Sequence, residues 1–195
     1  MNKLKFPVYK LRIKEDDQSN LSVDFIALVD EPAIQSNWLT FDEKKIFSVD
    51  KERKMVMGAF MIANMPIYRR DEKFGEHYVV FDKEEVFKIV QKFFRKGNTS
   101  NFNIMHDPSR KLDGVYLIES FIVDKTRGVS APVAFEGISE GSWIGTVKID
   151  NEEVWNDFIK TQQLKGFSIE GFFDQVYYNE QDLAVIEEIT KIVNS

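Results

Sequence analysis

The run Met55-Val56-Met57-Gly58-Ala59-Phe60-Met61-Ile62-Ala63-Asn64 constrains this chain more than any other stretch. It is almost wholly apolar, so both faces of the strand it predicts must be covered, and Met65-Pro66 ends it. Ile67 to Arg70 extends the pairing. Further strand signals recur along the chain. Val8 to Ile13 alternates and then meets the turn formers Asp16 to Asn20; Val23 to Val29 runs apolar into Asp30-Glu31-Pro32. Asn101 to His106, Val115 to Val123, Ser142 to Ile149 and Phe167 to Tyr177 complete the set. Residues Asp107 to Gly114 are turn formers, which predicts a hairpin of the first two of these with a long loop. Ala33 to Arg53 is charged and mixed, and reads as an excursion or loop.

Helices are fewer. Asp82 with Glu85 forms a capping-box pattern, and Val86, Ile89, Val90, Phe93 and Phe94 make one apolar stripe that Gly97 stops. Asp150 with Glu153 repeats the device ahead of Val154, Trp155, Phe158 and Ile159, with Gly166 as the stop. A third helix is expected from about Gln181 to Val193. The expected class is therefore α+β, with helices around a mostly antiparallel sheet or barrel.

Composition narrows the chemistry. With 195 residues and 22.8 kDa, a single domain over residues 1–195 is expected. A hydrophobic share of 43% with only 5 prolines indicates a folded chain. A net charge of -6 argues against a nucleic-acid groove. No cysteine is present, which removes disulfides, thiol nucleophiles and cysteine zinc sites. Two histidines, His77 and His106, are too few for a histidine-rich metal centre, and no cofactor is implied. No apolar run is long enough for a bilayer, and Met1 to Lys14 lacks the apolar core of a secretory signal, so a cytoplasmic protein without membrane partners is expected.

Covalent acyl chemistry here needs a hydroxyl nucleophile beside a base, and histidine is the base suited to neutral pH. His77, in Phe74-Gly75-Glu76-His77-Tyr78, reads as an exposed loop or strand-end residue. His106 ends an apolar strand, and Pro108 disfavours helix at Asp107, which puts the imidazole at a sheet rim. Spacing alone leaves His106 open to a structural reading. Ser168 sits in Gly166-Phe167-Ser168-Ile169-Glu170-Gly171, where Ser168 and Glu170 share a pleat face opposite Phe167 and Ile169. The flanking glycines leave room for close backbone approach, but the pattern equally suits a serine on a solvated face.

Taken together, Asn103-Ile104-Met105-His106, Val115 to Ser120, Gly141-Ser142-Trp143, Asp150 to Trp155 and Lys165-Gly166-Phe167-Ser168-Ile169 resemble the tailed-phage prohead maturation proteases. The order of segments is that of their XkdF-like branch, and Ile26 to Ile34 resembles its N-terminal motif. The resemblance implies a herpesvirus-assemblin-type fold, a β-barrel-like core with surrounding helices. It implies a serine endopeptidase with Ser168 as nucleophile and His106 as base. Its substrates would be the scaffold protein and the scaffolding part of the major capsid protein, cleaved inside the immature shell in the host cytoplasm, with self-association or self-cleavage as further options.

A third group should orient His106. Glu119 is the expected one, a charge in an otherwise apolar strand predicted to pair with the strand carrying His106. Asp124, Glu170 and Asp182 are lesser candidates. Two other classes stay open: an inactive capsid or scaffold component with the same fold, and a module that binds peptides by strand addition.

Overall fold

The computed structural model describes residues 6–16, 18–30 and 47–177. The expected helix over Gln181 to Val193, Asp182, and most of the expected excursion lie outside these residues. Among the described residues are twelve strands: β1 (Val8–Arg12), β2 (Val23–Val29), β3 (Phe47–Asp50), β4 (Met55–Met61), β5 (Ile67–Asp71), β6 (Gly75–Val80), β7 (Phe102–Ile104), β8 (Asp107–Lys111), β9 (Val115–Ile122), β10 (Trp143–Ile149), β11 (Gly166–Gly171) and β12 (Asp174–Tyr177). One α-helix, α1 (Lys83–Arg95), and a π-helical segment (Val154–Ile159) accompany them.

The strands form three four-stranded sheets, ordered β12-β1-β6-β5, β3-β4-β10-β9 and β11-β2-β7-β8. Two pairings, β1 with β6 and β2 with β7, are parallel. This corrects the expected fold. The described residues are mostly β in three separate sheets, with no closed barrel and little helix to surround one. Closure needs unbroken pairing around the circle, and this chain changes sheet every few strands. The break between β11 and β12 shows how. The run Phe167 to Tyr177, expected as one strand, bulges between Glu170 and Gly171, and its two halves pair into different sheets. Gly171 permits this, because a Cβ there would lie 2.1 Å from the Ser22 carbonyl oxygen, which instead accepts from Phe172 N–H at 3.0 Å.

A single large core cluster joins all three sheets and α1, through Leu11, Leu28, Phe60, Val86, Phe93, Trp143 and Phe167 among others. Phe60 is its hub, with ring centroids 4.9 Å from both Trp143 and Phe167, and Phe93 lies 5.2 Å from Trp143. Such edge-on pairs contribute about 0.5–1.5 kcal/mol each beyond burial.

The Asp82 carboxylate caps α1, accepting from Glu85 N–H at 2.9 Å. Glu85 does not complete the box. Its buried carboxylate instead pairs with Arg12 at 2.9 Å and accepts from Ile13 N–H, pinning β1 to the helix. Val86, Ile89 and Phe93 are buried as the stripe predicts, whereas Phe94 is exposed. The second helix differs from expectation. It is capped by Asn151 rather than Asp150, and it ends at Ile159, well before Gly166; Gln162, where φ is 59°, lies in the turn that follows. Asp150 is engaged elsewhere, by Tyr116 and Lys148. No helix among the described residues is long and apolar enough to cross a membrane.

Candidate functional site

His106 lies in a two-residue turn. Ile104 of β7 is opposite Asp107 of β8, and Met105 and His106 between them have φ of 55° and 59°. Two positive φ values define the turn that matches the twist of a tight hairpin. The long hairpin loop expected over Asp107 to Gly114 is thereby corrected: most of it is β8. Asn-Gly normally announces such a turn, and Met-His carries no such signal. Asp107 secures the far side. Its Oδ1 accepts from the Ser109 hydroxyl at 2.6 Å and from Ser109 N–H at 2.9 Å, and these bonds hold its pKa below the ordinary value.

Three strands then bring the chemistry to one face. Ser168 of β11 is opposite Ala27 of β2, which is opposite Asn103 of β7, so the three side chains share a face. Glu170, two residues beyond Ser168, shares it too. The Glu170 Oε2 accepts from Asn103 Nδ2 at 2.8 Å and lies 3.5 Å from His106 Nδ1. The imidazole is 43% exposed and the carboxylate 32%, while Ser168 is 8% exposed. The His106 pair is therefore open to solvent, and the serine is set into the sheet beside it. No hydrogen bond joins the Ser168 hydroxyl to His106 in this arrangement. The carboxylate that meets His106 stands two residues from Ser168 along β11.

Glu119 is not part of this group, and its expected role is corrected. The premise was a hairpin of β7 with β9, but β7 turns into β8, and β9 pairs with β10 in another sheet. Glu119 sits there on an edge strand, exposed, opposite Thr146. Asp124 is also elsewhere. It caps a 3₁₀ turn by accepting from Thr126 and Arg127, which lowers its pKa to about 2. The carboxylate that meets His106 is Glu170. Asn103, which tethers it, is a residue the sequence reading missed. A polar side chain between Phe102 and Ile104 in an apolar strand was the available signal.

His77 also departs from expectation. It is 0% exposed, packed edge-on against Tyr9 at 5.5 Å and beside Phe74 at 5.6 Å. Its Nδ1 is 3.0 Å from the Gly75 carbonyl oxygen, and its Nε2 is 3.7 Å from Asp71 Oδ2.

No family description, curated protein or solved structure matches this chain.

Proposed function

We propose that this chain is a serine endopeptidase, with Ser168 as nucleophile, His106 as general base and Glu170 as the group that orients the imidazole. The single observation behind the reading is the carboxylate that meets both Asn103 and His106 on the face shared by Ser168. Glu170 faces Nδ1, so Nε2 is the nitrogen that takes the proton as Ser168 Oγ attacks the scissile carbonyl carbon. The same nitrogen returns the proton to the leaving amine, and water then hydrolyses the acyl-enzyme by the reverse assistance.

A second feature supports a peptide substrate. Among the described residues, strand β11 is at the edge of its sheet and pairs with β2 alone. An extended peptide can add to that edge and pass beside Ser168, with main-chain hydrogen bonds supplying affinity. In the setting implied by the resemblance to prohead proteases, that peptide belongs to the scaffold or the scaffolding part of the major capsid protein, and cleavage occurs inside the immature shell. The decisive experiment is fluorophosphonate labelling of the full chain, followed by co-expression with candidate capsid and scaffold chains and intact-mass analysis. Labelling of Ser168 with substrate shortening supports the reading. An unlabelled Ser168 and uncut substrates would make the edge strand a binding surface alone.

A further inference from the structure

A cleft of about 400 Å³ borders Ser168, lined by β11, the residues that lead into β12, β5 and the end of β4. Phe167, Ser168 and Ile169 are consecutive in β11, and all three line it. Side chains of consecutive strand residues point to opposite faces. A space that all three border therefore runs along the edge of the strand, not over one face. With β2 on the other edge, this is the edge left unpaired among the described residues. Its outward N–H and C=O groups open onto the cleft.

Much of the accessible lining is apolar. Ile62, Ile67, Ile169 and Phe173 are half-buried, and Phe172 is 68% exposed. Phe60 and Phe167, whose ring centroids are 4.9 Å apart, join this lining to the core. Arg69, Arg70 and Asp71 follow Ile67 along β5 and are exposed, so their charges stay in solvent at the rim. Apolar surface left open to water beside a strand edge favours an occupant that brings a backbone and an apolar side chain together.

Resting on the hydrolase reading of Ser168, we propose that this cleft is its specificity pocket and takes one large apolar side chain, of the size of leucine or phenylalanine, from a substrate residue next to the scissile bond. The register follows from the pleat. A peptide added to the free edge of β11 has one residue level with Ser168, and its side chain turns to the face that carries Glu170 and His106. The residues before and after it turn to the face of Phe167 and Ile169, where the apolar walls stand. Cleavage falls beside the residue level with Ser168, and a neighbour carries the specificity. Ile67, Ile169 and Phe172 are the residues that select it.

The full chain is labelled with a fluorophosphonate and used to digest a peptide library, with the cut bonds identified by mass spectrometry. Paired peptides that differ only by leucine or alanine beside the cut then give a ratio of kcat/KM. Cuts beside large apolar residues are expected, with leucine favoured about tenfold or more. Ile67→Trp fills the cleft and should lower that ratio about tenfold. Phe172→Ala trims an exposed side chain without disturbing the core and should lower it about threefold. Thermal unfolding checks that both variants are folded, and the ratio does not move with a general loss of activity. A labelled Ser168 with cuts as frequent beside alanine or charged residues overturns the pocket, as does a ratio unchanged in both variants. Either result leaves the hydrolase reading standing. An unlabelled Ser168 with no cut bonds removes that reading and the pocket with it.

Discussion

The two histidines of this chain sit in two hairpins that are alike in chemistry and opposite in setting. Each imidazole has a carboxylate oxygen within 4 Å, Glu170 at 3.5 Å from His106 and Asp71 at 3.7 Å from His77. In the β5–β6 hairpin the carboxylate is local, held by N–H groups of its own loop, and the ring is sealed against Tyr9 and Phe74. In the β7–β8 hairpin the carboxylate arrives from β11, anchored by Asn103, and the ring is open. A general base must exchange its proton with substrate and solvent, which only the open setting permits. The sealed ring is instead a packing side chain of the first sheet, held against Tyr9 and Phe74. Proximity to a carboxylate therefore does not distinguish the two roles; access does.

The largest effect that could break this contrast is on activity. Ser168→Ala should lower hydrolysis by roughly four orders of magnitude or more, with stability changed by less than about 1 kcal/mol. His106→Gln should approach the same loss, measured by mass spectrometry of capsid and scaffold fragments. Wild-type turnover by either variant ends the assignment.

Next in size is the orienting carboxylate. Glu170→Gln should lower kcat on the order of 10²-fold with KM little changed, since the role proposed for it is to position the base and not to bind substrate. Glu119→Gln should be fully active, since its strand belongs to another sheet. An inactive Glu119→Gln beside an active Glu170→Gln would reverse the assignment.

His77→Gln sharpens the comparison from the other side. Loss of a buried, ring-packed side chain should cost about 1–3 kcal/mol in urea unfolding, against less than about 0.5 for His106→Gln. Hydrolysis by the folded variant should persist. If instead it falls as far as in His106→Gln, the base is the sealed histidine.

The smallest effect is pH-dependent. The folded pKa of Asp107 is depressed, chiefly by the Ser109 hydroxyl and then by the Ser109 N–H. Its contribution is thus complete above the unfolded carboxylate value of about 4 and is lost as pH falls through the lower folded value. Asp107→Asn should slightly destabilise the hairpin at neutral pH, and the gap from wild type should close in acid. Denaturation midpoints across that range measure it; a gap that widens in acid contradicts the sign.

Much of the strand inventory was legible because its signals are local. The apolar run at β4, the alternation of β1, and the Asp82 cap each act within a few residues, and the structure places elements at all three. The same locality explains the errors. Met105-His106 adopts a turn that neither residue advertises, and this one turn removed β9 as the partner of β7. With that partner went Glu119. Ser168 and Glu170 were correctly set on one pleat face, yet the reach of Glu170 across Ala27 to Asn103 depended on the order of three strands distant in the chain.

By itself the sequence determined the residue inventory and the strand-forming segments. Two histidines, no cysteine and short apolar runs bound the chemistry and the class of structure, because backbone preference and side-chain alternation are properties of neighbours. Only the tertiary structure decided that the sheets stay separate, that His77 is sealed while His106 is open, and that Glu170 is the carboxylate at hand. Strand order and register follow from the packing of the whole core around Phe60, and a one-residue change of register turns a side chain to the opposite face.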